Sequence, residues 1–188
     1  MGMAASPTVW TAEMVRALPD DGNRYEVVDG ELLVTPSPIE RHQWAVSRLL
    51  IMLGVYVEAH RIGIALASPS DIELDREGLV QPDLFVKGLV DGRPVIGWNS
   101  GAPLLLFVEV LSPSTARADR ITKRIRFQRA GIPEYWIVDM DARSIERWRP
   151  ADERPEILTE SLSWQPLPAH PPLTIDLPAC FARIHGEA

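Results

Sequence analysis

Residues 104–111 read Leu-Leu-Leu-Phe-Val-Glu-Val-Leu, an apolar run broken by a single acid, Glu109. Burying an ionised carboxylate without a partner costs several kcal/mol or forces its pKa upward, so Glu109 needs a metal ion or a cationic side chain. A second acid in a strand-like setting comes earlier, in Val80-Gln81-Pro82-Asp83-Leu84-Phe85-Val86. Two acids on neighbouring strands form the donor set of a divalent-metal site. Hard carboxylate oxygens, in a chain with one cysteine and four histidines, suit magnesium or manganese better than zinc. The plain structural alternatives are a strand-end turn acid for Asp83 and a buried pair with an arginine for Glu109.

The surrounding elements must hold these acids. Alternation puts Glu109 on one face with Phe107 and Leu111, and Asp83 on one face with Gln81 and Phe85. Pro82 has no backbone donor, which places Asp83 at an edge or strand start, partly accessible, with Glu109 more enclosed. Upstream, residues 11–17 make a short helix. The strand patterns at 25–28 and 31–34 are joined by Asp29-Gly30, a pair that tolerates the positive φ of a tight turn, and so predict a hairpin. Residues 40–60 predict a long helix with Leu49, Leu50, Leu53 and Val57 on its buried stripe. Residues 62–67 and 71–74 read as a second strand pair, and 88–103 as a surface connection.

After the Glu109 strand, whose unbroken apolarity implies burial on both faces, Ser112-Pro113-Ser114-Thr115 interrupts the pattern. Ser114 or Thr115 can cap a helix running to Ala130, which Gly131 and Pro133 stop. Residues 134–139 and 144–148 then predict a hairpin, with Tyr135 and Trp136 in the core. The proline-rich tail from Pro150 wraps the core with one more strand near 173–175. The pattern is α/β: a mixed central β-sheet flanked by helices, with an N-terminal β-hairpin. Acids at the ends of adjacent strands in such a sheet converge on one cleft.

At 188 residues, 46% hydrophobic and 24% charged, the chain has the composition of a soluble globular protein. A single domain over 11–180 is expected, with 1–10 and 181–188 as flexible termini. The lone Cys180 rules out an internal disulfide and fits a reducing cytoplasm. No apolar run reaches the roughly 20 residues of a membrane span, so no membrane partner is expected. Residues 1–6 formally match a myristoylation acceptor, although Met3 would serve equally as a start. The net charge of −7 argues against a general nucleic-acid coat protein. Within 117–129, however, Arg117, Arg120, Lys123, Arg124, Arg126 and Arg129 face one acid, Asp119, and make a local basic face.

A set of motifs in order resembles a known family. These are Tyr25-Glu26-Val27-Val28-Asp29-Gly30-Glu31, Pro36-Ser37-Pro38 with His42, Pro82-Asp83, and Val108-Glu109-Val110-Leu111-Ser112-Pro113-Ser114-Thr115, followed by Asp119, Lys123 and Pro133-Glu134-Tyr135-Trp136-Ile137-Val138-Asp139. Together they look like the Uma family of "putative restriction endonucleases", within the restriction-endonuclease-like PD-(D/E)XK nuclease superfamily. The resemblance implies a magnesium-dependent endonuclease, with manganese as the alternative ion, a hydrolase that cleaves phosphodiester bonds in nucleic acid, DNA above all. It assigns metal binding to Asp83, Glu109 and the Val110 carbonyl, and the orienting or activation of the attacking water to Lys123. Arg117, Arg120, Arg124 and Arg126 become nucleic-acid contacts. Glu26, Glu31, His42 and Asp119 become secondary candidates, and a homodimer is in keeping with cutting both strands.

One departure matters: the lysine of the superfamily motif, expected two residues after Glu109, is Leu111 here. The resemblance moves that role to Lys123 on the next helix. At about 100° per residue, Asp119, Lys123 and Arg126 share one face, nearly opposite Ile121 and Ile125. The structural alternative is an exposed Asp119–Lys123 pair at i,i+4. Leu111 also keeps alive a second functional reading, a nuclease-fold module that binds nucleic acid or a protein partner without turnover.

Overall fold

In the computed structural model, residues 9–97 and 101–187 are described. Residues 1–8, with the myristoylation-like segment, and residues 98–100 of the long connection lie outside them. The order is α1 (Ala12–Arg16), β1 (Arg24–Val28), β2 (Glu31–Thr35), α2 (Glu40–Ala59), β3 (Gly63–Ala67), β4 (Ile72–Asp75), β5 (Gly78–Val80), β6 (Leu84–Gly88) and β7 (Leu104–Val110). A π-helical turn (Ala118–Lys123) then leads into α3 (Arg124–Arg129), β8 (Tyr135–Asp139), β9 (Ser144–Trp148), β10 (Glu156–Leu158), β11 (Ser161–Trp164), β12 (Leu173–Asp176) and α4 (Leu177–Ile184).

The central sheet has six strands in the order β10-β9-β8-β7-β6-β3. Only β7 and β8 run parallel within it, so the helical segment between them is its crossover. Alternation along β7 divides the core. Leu106, Val108 and Val110 face α2 and α4, packing with Ala45, Leu49 and Phe181. Phe107 faces the other way, where Phe127 packs edge to face on it and Tyr135 on Phe127, with ring centroids 4.9 Å apart at each step. That aromatic column ties α3 to the sheet beneath Glu109.

A second sheet, β2-β1-β5-β4, covers this face. The hairpin turn has Asp29 at φ 51° and Gly30 at φ 78°, as a tight turn of this hand requires. Along β1, Tyr25 and Val27 turn toward α1, which leaves Arg24, Glu26 and Val28 on the opposite side, toward the central sheet. The small sheet therefore delivers two charged side chains to the interior.

Several expectations are corrected. Residues 62–67 and 71–74 do not pair with each other: β3 pairs with β6, and β4 pairs with β5 in the other sheet. The tail adds β10, β11 and β12, with the last two forming their own ribbon. Residues 181–184 are not a loose end, because Phe181 and Ile184 are buried against the core in α4. Trp10 likewise packs with α1 and β1, its amide bonded to the Gly30 carbonyl. Among the described residues, no helix is long and apolar enough to cross a membrane.

Candidate active site

β6 and β7 are neighbours in register, with Leu84 opposite Val108, so Asp83 at the head of β6 meets the end of β7. The Val110 amide donates to Asp83 Oδ2 at 2.9 Å, and the Asp83 amide donates to Glu109 Oε2 at 3.3 Å. Both acids are buried, at 4% and 2% exposure, so Asp83 is as enclosed as Glu109 and not partly open as its position after Pro82 implied. β6 is an inner strand, which removes the edge interpretation and leaves the strand start.

Two further donors hold Asp83. Arg24 Nη1 binds Oδ1 at 2.9 Å, and His42 Nε2 lies 3.0 Å from Oδ2. Burial alone would raise the Asp83 pKa. The His42 hydrogen bond and charge, the Arg24 guanidinium and the Val110 amide outweigh it and hold the carboxyl well below the usual range. An ionised carboxylate only accepts, so His42 Nε2 carries the hydrogen. His42 faces inward because it shares the buried side of α2 with Ala45, Val46 and Leu49.

Glu109 is matched from the crossover helix. Lys123 Nζ lies 2.9 Å from Glu109 Oε1, 2.8 Å from Glu26 Oε2 and 3.6 Å from Asp119 Oδ1. The exposed i,i+4 pair is thereby excluded: Asp119 and Lys123 are 1% and 3% exposed, whereas Ile121 and Ile125 are 48% and 40% exposed. The helix turns Asp119 and Lys123 inward and its two isoleucines outward. Phe127 supplies the apolar anchor, and the inner face is selected by the acids it meets. Glu26 is fixed from behind by the Gln81 amide at 2.8 Å.

Burial pushes the Glu109 pKa well above its ordinary value, against the pull of Lys123 and with added repulsion from Asp83, Asp119 and Glu26. Burial would lower Lys123, but Glu109, Glu26 and Asp119 drive it well above the ordinary lysine value. Asp119 is also raised by burial.

The remaining sequence candidates separate. Glu31 is exposed on β2 and takes no part. Arg126 is buried and paired with Asp75 and, at 3.4 Å, with Asp29; it clamps the hairpin turn to α3 and is not a free nucleic-acid contact. Arg120 bonds Glu146 at 2.6 Å and Asp139 at 2.9 Å. Arg124 bonds Gln128 and lies over the Trp148 ring, 4.8 Å from its centroid. Arg117 is exposed with no ion-pair partner among the described residues. Tyr135 and Trp136 are core, as expected. Arg24 is the residue that sequence reading missed, although its position two before Glu26 on one strand was the available signal.

A cavity of about 460 Å³ opens over these groups, lined at its floor by Asp83, Glu109, Asp119 and Lys123. Leu111, in the slot of the motif lysine, forms part of its wall. The family model described as "Uma2: Putative restriction endonuclease" matches residues 12–178.

The chain belongs to the Uma2 family.

A crystal structure described as a putative nuclease belonging to DUF820, from Anabaena variabilis, shares the fold of this Uma2 member. The TM-score is 0.68 at 18% identity, covering 93% of this chain and 99% of that one. None of the curated proteins compared with the chain matches it.

The donor chemistry of this Uma2 site fits a hard divalent cation. Four buried carboxylates, Glu26, Asp83, Glu109 and Asp119, face two permanent cations, Arg24 and Lys123. Burial and mutual repulsion push Glu109 and Asp119 toward their protonated forms, a penalty that a divalent cation would relieve, and Asp119 Oδ1 has no hydrogen-bond partner. As arranged, no three His, Cys, Asp or Glu side chains among the described residues converge on one ion-sized point. The Asp83 oxygens are turned to Arg24, His42 and Val110, so ligation by Asp83 requires exchange of one of these contacts.

Proposed function

We propose that this chain is a divalent-metal-dependent endonuclease that hydrolyses phosphodiester bonds in DNA, with magnesium as the ion and manganese as a substitute. The observation that carries the reading is the buried Lys123 ammonium between Glu109 and Glu26, beside Asp83, on the floor of a cavity in a member of a restriction-endonuclease family. Asp83 and Glu109 would hold the ion, joined by the Val110 carbonyl. When bound, the ion supplies a low-pKa water and charge stabilisation at the phosphate.

The protein's own groups do the rest. Lys123 donates hydrogen bonds at the cavity floor and orients the attacking water; held strongly cationic by its three acids, it stabilises negative charge and does not act as a base. Glu26 and Asp119 fix the lysine, and His42 fixes the Asp83 carboxylate. The chain would act in solution, in the cytoplasm, and as a homodimer.

One observation favours a second reading, a binding module without turnover: Leu111 replaces the motif lysine, and both Asp83 oxygens already have donors inside the protein. Cleavage assays with magnesium separate the two. The nuclease cuts DNA and loses cutting in folded Asp83→Ala and Glu109→Ala variants. Unchanged cutting in both variants removes the proposed site, and salt-sensitive binding without cutting by the wild type selects the module.

A further inference from the structure

We propose that the substrate enters as an unpaired nucleotide strand, gripped by one or two phosphates, and that an intact duplex is not what the cavity holds. This deepens the nuclease reading and rests on it. The cations of the cavity are already committed. Arg24 is paired with Asp83, Arg41 with Asp141 at 2.9 Å, Arg120 with Asp139 and Glu146, and Lys123 with Glu109 and Glu26. Tracking a duplex backbone takes a stripe of unpaired lysines and arginines, and in this chain of net charge −7 the described residues offer none around the floor acids.

The walls point the same way. Pro36, Pro38, Ile39, Leu111 and Pro113 line the cavity, apolar surface that suits the face of an unstacked base. A volume of about 460 Å³ is that of a small-molecule site, with room for a single nucleotide unit below its rim. Beside the walls, the hydroxyls of Ser112, Ser114 and Thr115 line the cavity, with Ser112 Oγ 3.0 Å from Ser114 Oγ and 2.9 Å from Thr115 Oγ1, and a phosphate oxygen can replace one of these contacts as acceptor. Exposed Arg117, next in the chain to the cavity-lining Ala116, remains to meet one further phosphate.

The test is fluorescence anisotropy with the full chain, using a short unpaired DNA oligonucleotide and a blunt duplex of the same sequence, across a salt series. Cleavage of both in magnesium accompanies it. The unpaired strand is expected to bind about tenfold tighter than the duplex, with a log–log salt slope of about −0.7 to −1.4, the release expected for one or two phosphates. Ile39→Ser, at a wall position that is 63% exposed and so tolerates a polar side chain, should weaken strand binding about fivefold and, adding no charge, leave the slope unchanged. Equal or better binding and cutting of the duplex, a slope of about −3.5 or steeper, or full affinity in Ile39→Ser overturns the inference while leaving the nuclease reading intact. Failure to bind or cut either DNA overturns both.

Discussion

The Lys123 ammonium lies 2.9 Å from Glu109 Oε1, with both side chains 3% exposed and 14 positions apart in sequence. Removing one member of such a buried pair leaves an uncompensated charge. Lys123→Ala should therefore cost about 3–5 kcal/mol of stability by chemical denaturation. The double variant Lys123→Met with Glu26→Gln should recover part of that loss, because it removes a charge on each side, yet restore no cleavage. Recovered cleavage would make Lys123 structural alone.

The same lysine sets an alkaline limit. Its folded pKa is raised, so its contribution to stability is complete below the unfolded value of about 10.4 and is lost as pH climbs through the higher folded value. Thermal unfolding followed across the alkaline range should fall more steeply in the wild type than in the Lys123→Met, Glu26→Gln double variant. Parallel curves would refute the coupling.

Arg24 holds Asp83 Oδ1, one of the two oxygens through which that carboxylate could ligate a metal ion. Arg24→Ala should bind manganese about tenfold more tightly by calorimetric titration, whatever happens to turnover, because a competing cation is gone. Equal or weaker affinity would show that Arg24 helps to assemble the site and does not compete for it.

His42 donates to the other Asp83 oxygen from α2, and its Nδ1 is buried without a hydrogen-bond partner. His42→Ala should cost about 1–3 kcal/mol in stability and lower cleavage. His42→Asn, which keeps a donor, should recover activity more than His42→Leu does. Equal loss in both would assign the residue to packing.

Arg126 and Arg117 are expected to part company. Arg126→Ala should destabilise the fold by loosening the Asp29 and Asp75 clamp and leave the salt slope of DNA binding as it was. Arg117→Ala should leave stability within about 0.5 kcal/mol and reduce the magnitude of that slope by about 0.7. A reversed pattern in denaturation and binding would return Arg126 to the nucleic-acid surface.

Each sequence pattern reports one kind of force, and that decides how far it can be read. Hydrophobic periodicity identifies the Glu109 strand, the hairpin and α2, and alternation correctly puts Glu109 with Phe107 on the face that carries the site. Periodicity misleads where charge decides burial. Ile121 and Ile125 mark the outer face of the crossover helix because Asp119 and Lys123 find acids and cations inside, information carried by β1 and β7 and not by the helix itself. The two hairpin acids, both secondary candidates from the resemblance, part company, Glu31 exposed and Glu26 buried, because which face of a hairpin is covered depends on how a second sheet docks. The terminal helix went unread since its eight residues, Leu177–Ile184, come after a long proline-rich stretch.

The wide turn over Ala118–Lys123 bears on how this chain can change length. Each residue in a helical segment rotates the next by about 100° around the axis, and a π-helical turn accommodates one residue more than an α-turn would. The lysine's aim thus depends on the residue count from Ser112 to Lys123 as much as on its identity. Deleting Thr122 would spare every side chain named in the site, yet swing the ammonium away from Glu109. Insertions between Leu89 and Pro103, in the connection that leads into the opposite end of β7, would leave that aim alone.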